Sequence, residues 1–572
     1  MPQHVVIIGA VALGPKSACR LKRLDPEAKV TLVDRSATIS YGGCGIPYYV
    51  SGEVSEFSQL QDTSFHVRRD AAFFRDCKGG IDVLSGFECT GIDRNARQVT
   101  LLNISTGSLS TLPYDQLVLA TGSRSRRLSL PGVELEGVLH LEGPAQAIQM
   151  RESVAKGQVD KVVVIGAGFI GLEMAEAFSD MWGVDTTVVE IADQILPGRV
   201  SPVLARMGQR HMEEKGVSFQ LATRVLRFEG NGKLERLITD QGELQADLAL
   251  IAAGVVPNGE LARAAGLAVS PGGAIIVDER MRTSDPHIFA GGDCVEVRHL
   301  ITGKPFHLPM GSLANRQGRV IGSNLAGRQD SFPGAVGSFV VKLFDCSLAG
   351  AGLSLREAQQ NGLDALAVLL PQLDRAHFYP KKEMMTLELI VERATRRVLG
   401  IQGFGSAGDA LVGRVNAVAG LLPHGANLAE LSNLELAYSP PFSTAMDIVN
   451  ALANVAENEL EGRNKGIGPD DFVRIWGERD SERWFVLDCR ETANAQPYLE
   501  RYPENWHNIP QGQLDKRMDE VPRDRTVVLI CNTGGRAYEA QITLARHGIV
   551  DVLNVHGGMV ALKQWGWESE TT

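Results

Sequence analysis

The chain has 572 residues, 44% of them apolar and 22% charged, and carries a net charge of −11. Such a length exceeds one core and sets an expectation of three to five domains. The acidic balance excludes nucleic acid or an anionic membrane as the main partner, so an anionic ligand would need a local basic site. No apolar run reaches the roughly 18 residues that span a bilayer. The first residues enter a strand pattern without a charged and apolar leader. Eight cysteines, at 19, 44, 77, 89, 294, 346, 489 and 531, form no CxxC pair. Their scatter fits a reducing cytoplasm and leaves thiols open to chemistry.

Val5-Val6-Ile7-Ile8 is apolar and β-branched, the pattern of a buried parallel strand. Gly9-Ala10-Val11-Ala12-Leu13-Gly14 follows, then a helix pattern through Leu24 and a strand, Val30-Thr31-Leu32-Val33, that ends at Asp34. In this order the residues make a dinucleotide fingerprint. Gly9 serves the tight turn, Gly14 the close helix packing, and Asp34 accepts hydrogen bonds from a ribose. Ala10 and Arg35 count with this site, and Val11 replaces the usual middle glycine. Lys16, Arg20 and Arg23 share one helix face. They suit a phosphate-bearing substrate as well as a plain solvated surface.

The stretch Ser40-Tyr41-Gly42-Gly43-Cys44-Gly45 places one cysteine between glycines. Glycines there let the backbone approach a flat ligand and leave the sulfur unshielded. A buried structural cysteine is the plain alternative. After Ala120-Thr121-Gly122 a second fingerprint is complete: Gly166-Ala167-Gly168-Phe169-Ile170-Gly171, with Glu173 on the helix and Glu190 ending the strand Thr186-Thr187-Val188-Val189. A carboxylate at that end binds a 2′-hydroxyl and repels a 2′-phosphate, favouring NADH over NADPH. Two fingerprints imply two dinucleotides. Ala252-Ala253-Gly254 and Ile288-Phe289-Ala290-Gly291-Gly292-Asp293 add two more strand ends, the second tipped by a carboxylate.

With these motifs, residues 1–455 resemble the flavoprotein pyridine nucleotide-disulfide oxidoreductases. The resemblance implies an FAD domain (1–125 and 255–330) split around an inserted NAD domain (126–254), both Rossmann-like, then an α+β dimerisation domain (331–455). It places Asp293 on the ribityl chain of the flavin and counts Ala120, Thr121, Gly122 and Gly254 among the cofactor contacts. Many members carry a CxxxxC pair, but the fifth position after Cys44 is Tyr49. A single redox thiol must pair with an external sulfur or oxidise to a sulfenic acid. NADH peroxidases and water-forming oxidases have a histidine fourth in the first glycine loop, where this chain has Ala12.

The coenzyme A-disulfide reductases are the subgroup that matches best, through residues 9–12, 40–44 and Ala437-Tyr438-Ser439-Pro440-Pro441-Phe442-Ser443. That likeness implies a homodimer in which Tyr438, and Tyr379 as a second phenol, reach the cysteine of a partner subunit and protonate a leaving thiolate. It also implies Lys16, Arg20, Arg23, Ser40, Gly43 and Asn315 as contacts for coenzyme A. Two positions depart from the subgroup: Gly43 stands for an asparagine, and Met446 for a basic residue.

Residues 456–469 lose the apolar pattern and read as a linker. Beyond it, Trp484-Phe485-Val486-Leu487-Asp488 and Thr526-Val527-Val528-Leu529-Ile530 are strands, the second running into Cys531 and then Asn532-Thr533-Gly534-Gly535-Arg536. A cysteine in a loop feeding a helix sits among free backbone N–H groups that stabilise an anion. Residues 470–572 resemble a rhodanese domain, including Asn508-Ile509-Pro510 and Val555-His556-Gly557-Gly558. The resemblance implies that Cys531 carries sulfane sulfur in a six-residue loop closed by Arg536. Cys489 reads as core.

The combined expectation is a multidomain α/β chain using FAD and NADH, with coenzyme A as a further ligand and no metal. Its chemistry would be NADH-dependent reduction of a persulfide, polysulfide or coenzyme A disulfide by Cys44, supplied by Cys531. The alternatives are an NADH oxidase or peroxidase with a passenger rhodanese domain, and a sulfur-delivery protein that acts with a partner.

Overall fold

Strands of continuous β-branched residues must be covered on both faces, which parallel sheets achieve with helices on either side. In the computed structural model, which describes residues 2–406 and 408–567, two such sheets form the first of two units, Met1–Ala192 with Gly216–Ala335. One sheet runs Ile288–Ala290, Gln116–Leu119, His4–Ile8, Lys29–Asp34, Ile81–Ser85, all parallel. The other runs Val217–Gln220, Asp185–Val189, Lys161–Ile165, Leu248–Ile251, Val138–His140, again all parallel. In each sheet the strand entering the glycine loop is central, and the chain leaves it in both directions. That is the switch point at which open parallel sheets bind ligands, beyond the carboxyl ends of the strands.

The second unit joins residues 193–215 to 336–572. Its first sheet is antiparallel: Phe339–Leu343, Cys346–Gly352, Val398–Gly405, Met384–Glu392, Ala365–Leu373. Helices Gly408–Leu421 and Ile448–Leu460 pack on it. The last sheet is parallel: Gly466–Ile467, Val552–Val555, Thr526–Ile530, Trp484–Asp488, Trp506–Asn508. Alternation along its central strands sorts side chains onto two faces. Leu487, Cys489, Leu529 and Cys531 share one core cluster, while Val486, Val528 and Ile530 join Trp476, Trp506 and Trp567 in another. Among the described residues, no helix is long and apolar enough to cross a membrane.

The stretch expected to be a linker is ordered. Helix Ile448–Leu460 supplies its first five residues, and Gly466–Ile467 pairs with Asn554 and Val555. Its polar residues are satisfied by one another and by the last sheet: Asn464 Nδ2 donates to Glu459 Oε1 at 3.0 Å, Asn554 Nδ2 donates to Asn464 Oδ1 at 3.0 Å, and Glu459 pairs with His556. A polar composition looks like a loop in sequence when its partners are distant in the chain.

Glu388 lies buried in the antiparallel sheet, and its Oε2 has no hydrogen-bond partner among the described residues. Burial pushes its pKa up to about 7, while a hydrogen bond with Ser201 and the charge of His556 oppose this and Asp470 adds to it. Because the folded value exceeds the ordinary one, the folded state holds this proton preferentially. The resulting stability is complete at acid pH and is lost as pH rises from about 4.5 to about 7. Glu388→Gln should therefore flatten the fall in unfolding midpoint between pH 5 and pH 8, removing up to about 3 kcal/mol of pH-dependent destabilisation. Equal pH slopes for variant and wild type in thermal unfolding would contradict it.

Candidate active site

The two glycine loops repeat one construction. Gly9 has φ = 107°, and a Cβ there would lie 2.1 Å from the carbonyl oxygen of Ala120. A Cβ on Gly14 would lie 2.0 Å from the oxygen of Gly9, so the helix that starts at Leu13 can pack this closely only on glycine. Gly166 and Gly171 match them, with φ = 111° and a 1.9 Å approach. The strand-end acids match as well. Ala10 N donates to Asp34 Oδ2 at 2.7 Å and Ser36 N to Oδ1 at 2.8 Å. Ala167 N and Ala192 N donate to Glu190 at 2.8 and 2.9 Å. A carboxylate has about four acceptor positions, so each acid is fixed against its loop with capacity left for ribose hydroxyls.

The open floor fits a nucleotide. A Cβ on Gly122, Gly168 or Gly254 would meet no described atom within 4 Å. Thr121 Oγ1 donates to the Asn258 carbonyl at 2.7 Å, and Asn258 Nδ2 returns a bond to the Thr121 carbonyl at 2.8 Å, locking the neighbouring turn. Asp293 accepts from Ser123 Oγ at 3.2 Å, and burial raises its pKa. Hydroxyl donors from a bound group would relieve that desolvation. Ala120 is half-buried, while Arg35 and Ile170 are exposed at the two loops.

Cys44 lies on a single 3-10 turn, Gly43–Gly45, and is exposed. Ser40 N donates to the Ala10 carbonyl at 2.7 Å and Gly42 N to Leu60 at 2.9 Å, tying the cysteine loop to the first glycine loop. The following helix, Ile46–Ser51, is pinned by Arg151, which donates to the Val54 carbonyl at 2.8 Å and lies over the Tyr49 ring. Trp182 Nε1 adds a 2.8 Å bond to the Val50 carbonyl. A Cβ on Gly43 would touch only the Tyr41 ring at 4.0 Å, so the missing asparagine leaves room rather than strain.

The Cys44 sulfur would be 3.6 Å from a Cβ on Gly311, the first residue of helix Gly311–Leu325. Desolvation by the protein around it raises its thiol pKa, and the charges of Glu173 and Asp293 raise it further, against the backbone amides of Cys44 and Gly311. Glu173 is itself pushed up to about 7 by burial and then by Glu176. The sequence places these groups 129 and 249 residues from Cys44, and the fold makes them one electrostatic cluster.

Lys16 and Arg20 run across two glycines of the same long helix. A Cβ on Gly318 would lie 3.0 Å from Lys16 Cβ, and one on Gly322 would lie 2.6 Å from Arg20 Cβ. Arg20 Nε donates to Ser323 Oγ at 3.0 Å, and its pKa is lowered by burial and then by the charges of Arg319 and Arg328. Arg23 and Asn315 are exposed, and Asn315 donates to the Gly311 carbonyl. Arg319 and Arg328 enlarge the cationic surface beyond the three residues read from sequence. Gly318 and Gly322, four apart on a polar helix, were the available signal of a close helix contact.

In the second unit the segments of Tyr379 and Tyr438 are joined. Ala376 N donates to the Pro440 carbonyl at 3.2 Å, and Gln372 Nε2 donates to Thr444 Oγ1 at 2.6 Å. Tyr438 is 53% exposed, and Phe378, Phe442 and Met446 are exposed with it. Such an apolar surface marks an interface more often than free solvent contact.

Cys531 follows strand Thr526–Ile530 and is buried, with Gly534 N donating to its sulfur at 3.1 Å. Gly558 backs the loop so closely that a Cβ would lie 2.1 Å from the Cys531 carbonyl oxygen. Arg536 is half-buried in the first turn of helix Gly535–Arg546. Beneath the loop, Arg490 and Asp488 form a buried pair that also holds Trp506 Nε1, a support that sequence reading left unassigned.

Two Rossmann-like sheets with paired fingerprints and an exposed cysteine beside one of them define a dinucleotide-dependent thiol oxidoreductase. Residues 3–313 match the pyridine nucleotide-disulphide oxidoreductases, 338–449 the dimerisation domain of that family, and 474–564 a rhodanese-like domain. The chain belongs to the pyridine nucleotide-disulphide oxidoreductases, flavoproteins that use FAD with a pyridine nucleotide. It is 34% identical over 451 residues to a CoA-dependent NAD(P)H sulfur oxidoreductase of Pyrococcus abyssi, covering 79% of this chain and 97% of that protein. It is similar to a solved NAD-dependent persulfide reductase from A. fulgidus (39% identity, TM-score 0.91, 98% and 99% covered). It is also similar to reduced CoADR-RHD from Bacillus anthracis (29% identity, TM-score 0.89, 99% of each chain).

Proposed function

We propose that the protein is an NADH-dependent flavoprotein reductase of sulfane sulfur and disulfide substrates, with coenzyme A persulfide, polysulfide and coenzyme A disulfide as the substrate class. The observation that carries this reading is Cys44: exposed, against the first residue of helix Gly311–Leu325, with Tyr49 where an internal disulfide partner would stand. Bound FAD and NADH supply a two-electron reduction. Residues 9, 10, 14, 34, 120–122 and 293 would hold the first, and 166, 168, 171 and 190 the second. Glu190 at its strand end supports NADH over NADPH.

Cys44 as thiolate attacks a sulfur of the substrate, leaving itself in a mixed disulfide or persulfide and expelling hydrosulfide or thiolate. Tyr438 and Tyr379, brought across a homodimer interface, protonate the leaving group. The exposed aromatic surface around them supports that interface. Lys16, Arg20 and Arg23 with Arg319 and Arg328 meet the phosphates of coenzyme A. Cys531 takes sulfane sulfur from polysulfide as a persulfide and passes it to coenzyme A, with Arg536 and the loop amides holding the anion.

Cys531→Ser separates the two chemistries in anaerobic NADH oxidation. The variant should lose activity with inorganic polysulfide plus coenzyme A by a factor about tenfold larger than with preformed coenzyme A persulfide. Equal losses, or no loss with either, would make the rhodanese domain an independent passenger. No NADH oxidation by the wild type with either substrate would overturn the whole reading.

A further inference from the structure

The strands that carry Cys489 and Cys531 are neighbours in parallel register. Asp488 pairs with Ile530, the last bridged position, and Cys489 N donates to the Ile530 carbonyl at 2.8 Å. The two cysteines are the next residues on each strand. Side chains alternate across the sheet, and both cysteines fall on the same face, in the cluster of Leu487 and Leu529. Asp488 points to the opposite side, to Trp506. Adjacent strands lie about 4.8 Å apart, inside the roughly 4.4–6.8 Å Cα separation that a disulfide bridges. Both cysteines are free thiols, at 0% and 1% exposure, and both belong to one apolar core cluster.

We propose that Cys489 is a resolving thiol for Cys531, able to displace sulfur from a Cys531 persulfide within the same sheet. The step presupposes a persulfide on Cys531, the role argued under the proposed function. Cys489 sulfur, as thiolate, attacks the inner sulfur of Cys531–S–SH. A Cys489–Cys531 bond forms, the S–S bond of the persulfide breaks, and hydrosulfide departs with the electron pair and takes up the proton that Cys489 gave up. The sulfane sulfur is reduced, two thiols are oxidised to one disulfide, and no outside oxidant takes part. Two low-molecular-weight thiols then restore both cysteines and become a disulfide. That product belongs to the substrate class proposed for Cys44, so NADH closes the cycle.

Burial raises the Cys489 thiol pKa, and the neighbouring charge of Cys531 raises it further. The internal attack is therefore slow beside transfer to an external thiol. It becomes the fate of a persulfide that finds no acceptor, and it stops the sulfur chain on Cys531 from growing in excess polysulfide.

The test uses the full chain in a Cys44→Ser background, treated anaerobically with inorganic polysulfide, freed of small molecules and followed by peptide mass. The chain with Cys489 intact should gain sulfur on the Cys531 peptide. It should then lose it as sulfide, leaving residues 489 and 531 cross-linked and two hydrogens lighter. Cys489→Val, which matches the apolar surroundings, should prolong the persulfide at least about tenfold without cross-link, and Cys489→Ser should do the same if valine disturbs folding. Equal persulfide lifetimes with and without Cys489, or sulfide release with no 489–531 link, would overturn the resolving role while leaving Cys531 a sulfur carrier. Failure of every variant to take up sulfur would overturn the carrier role itself.

Discussion

Replacing Cys44 by serine should lower NADH-dependent reduction of coenzyme A persulfide by about 10³-fold or more, equivalent to about 4 kcal/mol or more of transition-state stabilisation. Serine keeps the turn at Gly43–Gly45 and the tethers from Ser40 and Gly42, so the site keeps its shape. What is lost is a thiolate able to attack sulfur, and no other cysteine lies within this turn or the helix Ile46–Ser51 that follows. Flavin reduction by NADH should persist, because the glycine loops and the acids Asp34 and Glu190 are untouched. Stopped-flow absorbance of the flavin, read beside steady-state turnover, checks both halves. Turnover within about tenfold of wild type would remove Cys44 from the chemistry.

The second large effect concerns stability. Asp488→Ala should destabilise the last parallel sheet by about 3–5 kcal/mol. The Arg490 side chain is 6% exposed and its partner 0%, so removing the carboxylate strands a buried guanidinium, and Trp506 Nε1 loses its acceptor too. Replacing both partners by apolar residues of similar volume should restore most of the loss. Five of the six tryptophans (476, 484, 506, 565 and 567) lie in this part of the chain, so indole fluorescence reports its unfolding while flavin fluorescence reports the first unit. A change below about 1 kcal/mol would mean that water reaches Arg490 and that the pair is not load-sharing with the core.

How much of this was legible in sequence follows from which constraints are local. The glycine loops were readable because a tight turn and a close helix approach each exclude Cβ, and Gly9, Gly14, Gly166 and Gly171 show those approaches in the structure. The strand-end acids were readable for the same reason, since Asp34 and Glu190 close on amides of their own loops. Long-range electrostatics were not. Glu173 is legible only as part of the second fingerprint, and its field on Cys44 depends on packing between segments more than a hundred residues apart. Arg319 and Arg328 join Arg20 only because two helices meet across Gly318 and Gly322. The local structure of 456–469, read from composition as a linker, was not legible, because Glu459 and Asn464 find partners in His556 and Asn554, 97 and 90 residues away. Cys489 was legible as core, but its place beside Cys531 appears only with the register of the two strands.

Product stoichiometry in anaerobic turnover with coenzyme A persulfide tests the proposed chemistry most directly. Each NADH consumed should yield one hydrosulfide and one coenzyme A thiol, with no requirement for oxygen. NADH consumption that stops when oxygen is removed would return the protein to oxidase chemistry, and consumption that proceeds without releasing sulfide would contradict a persulfide reductase.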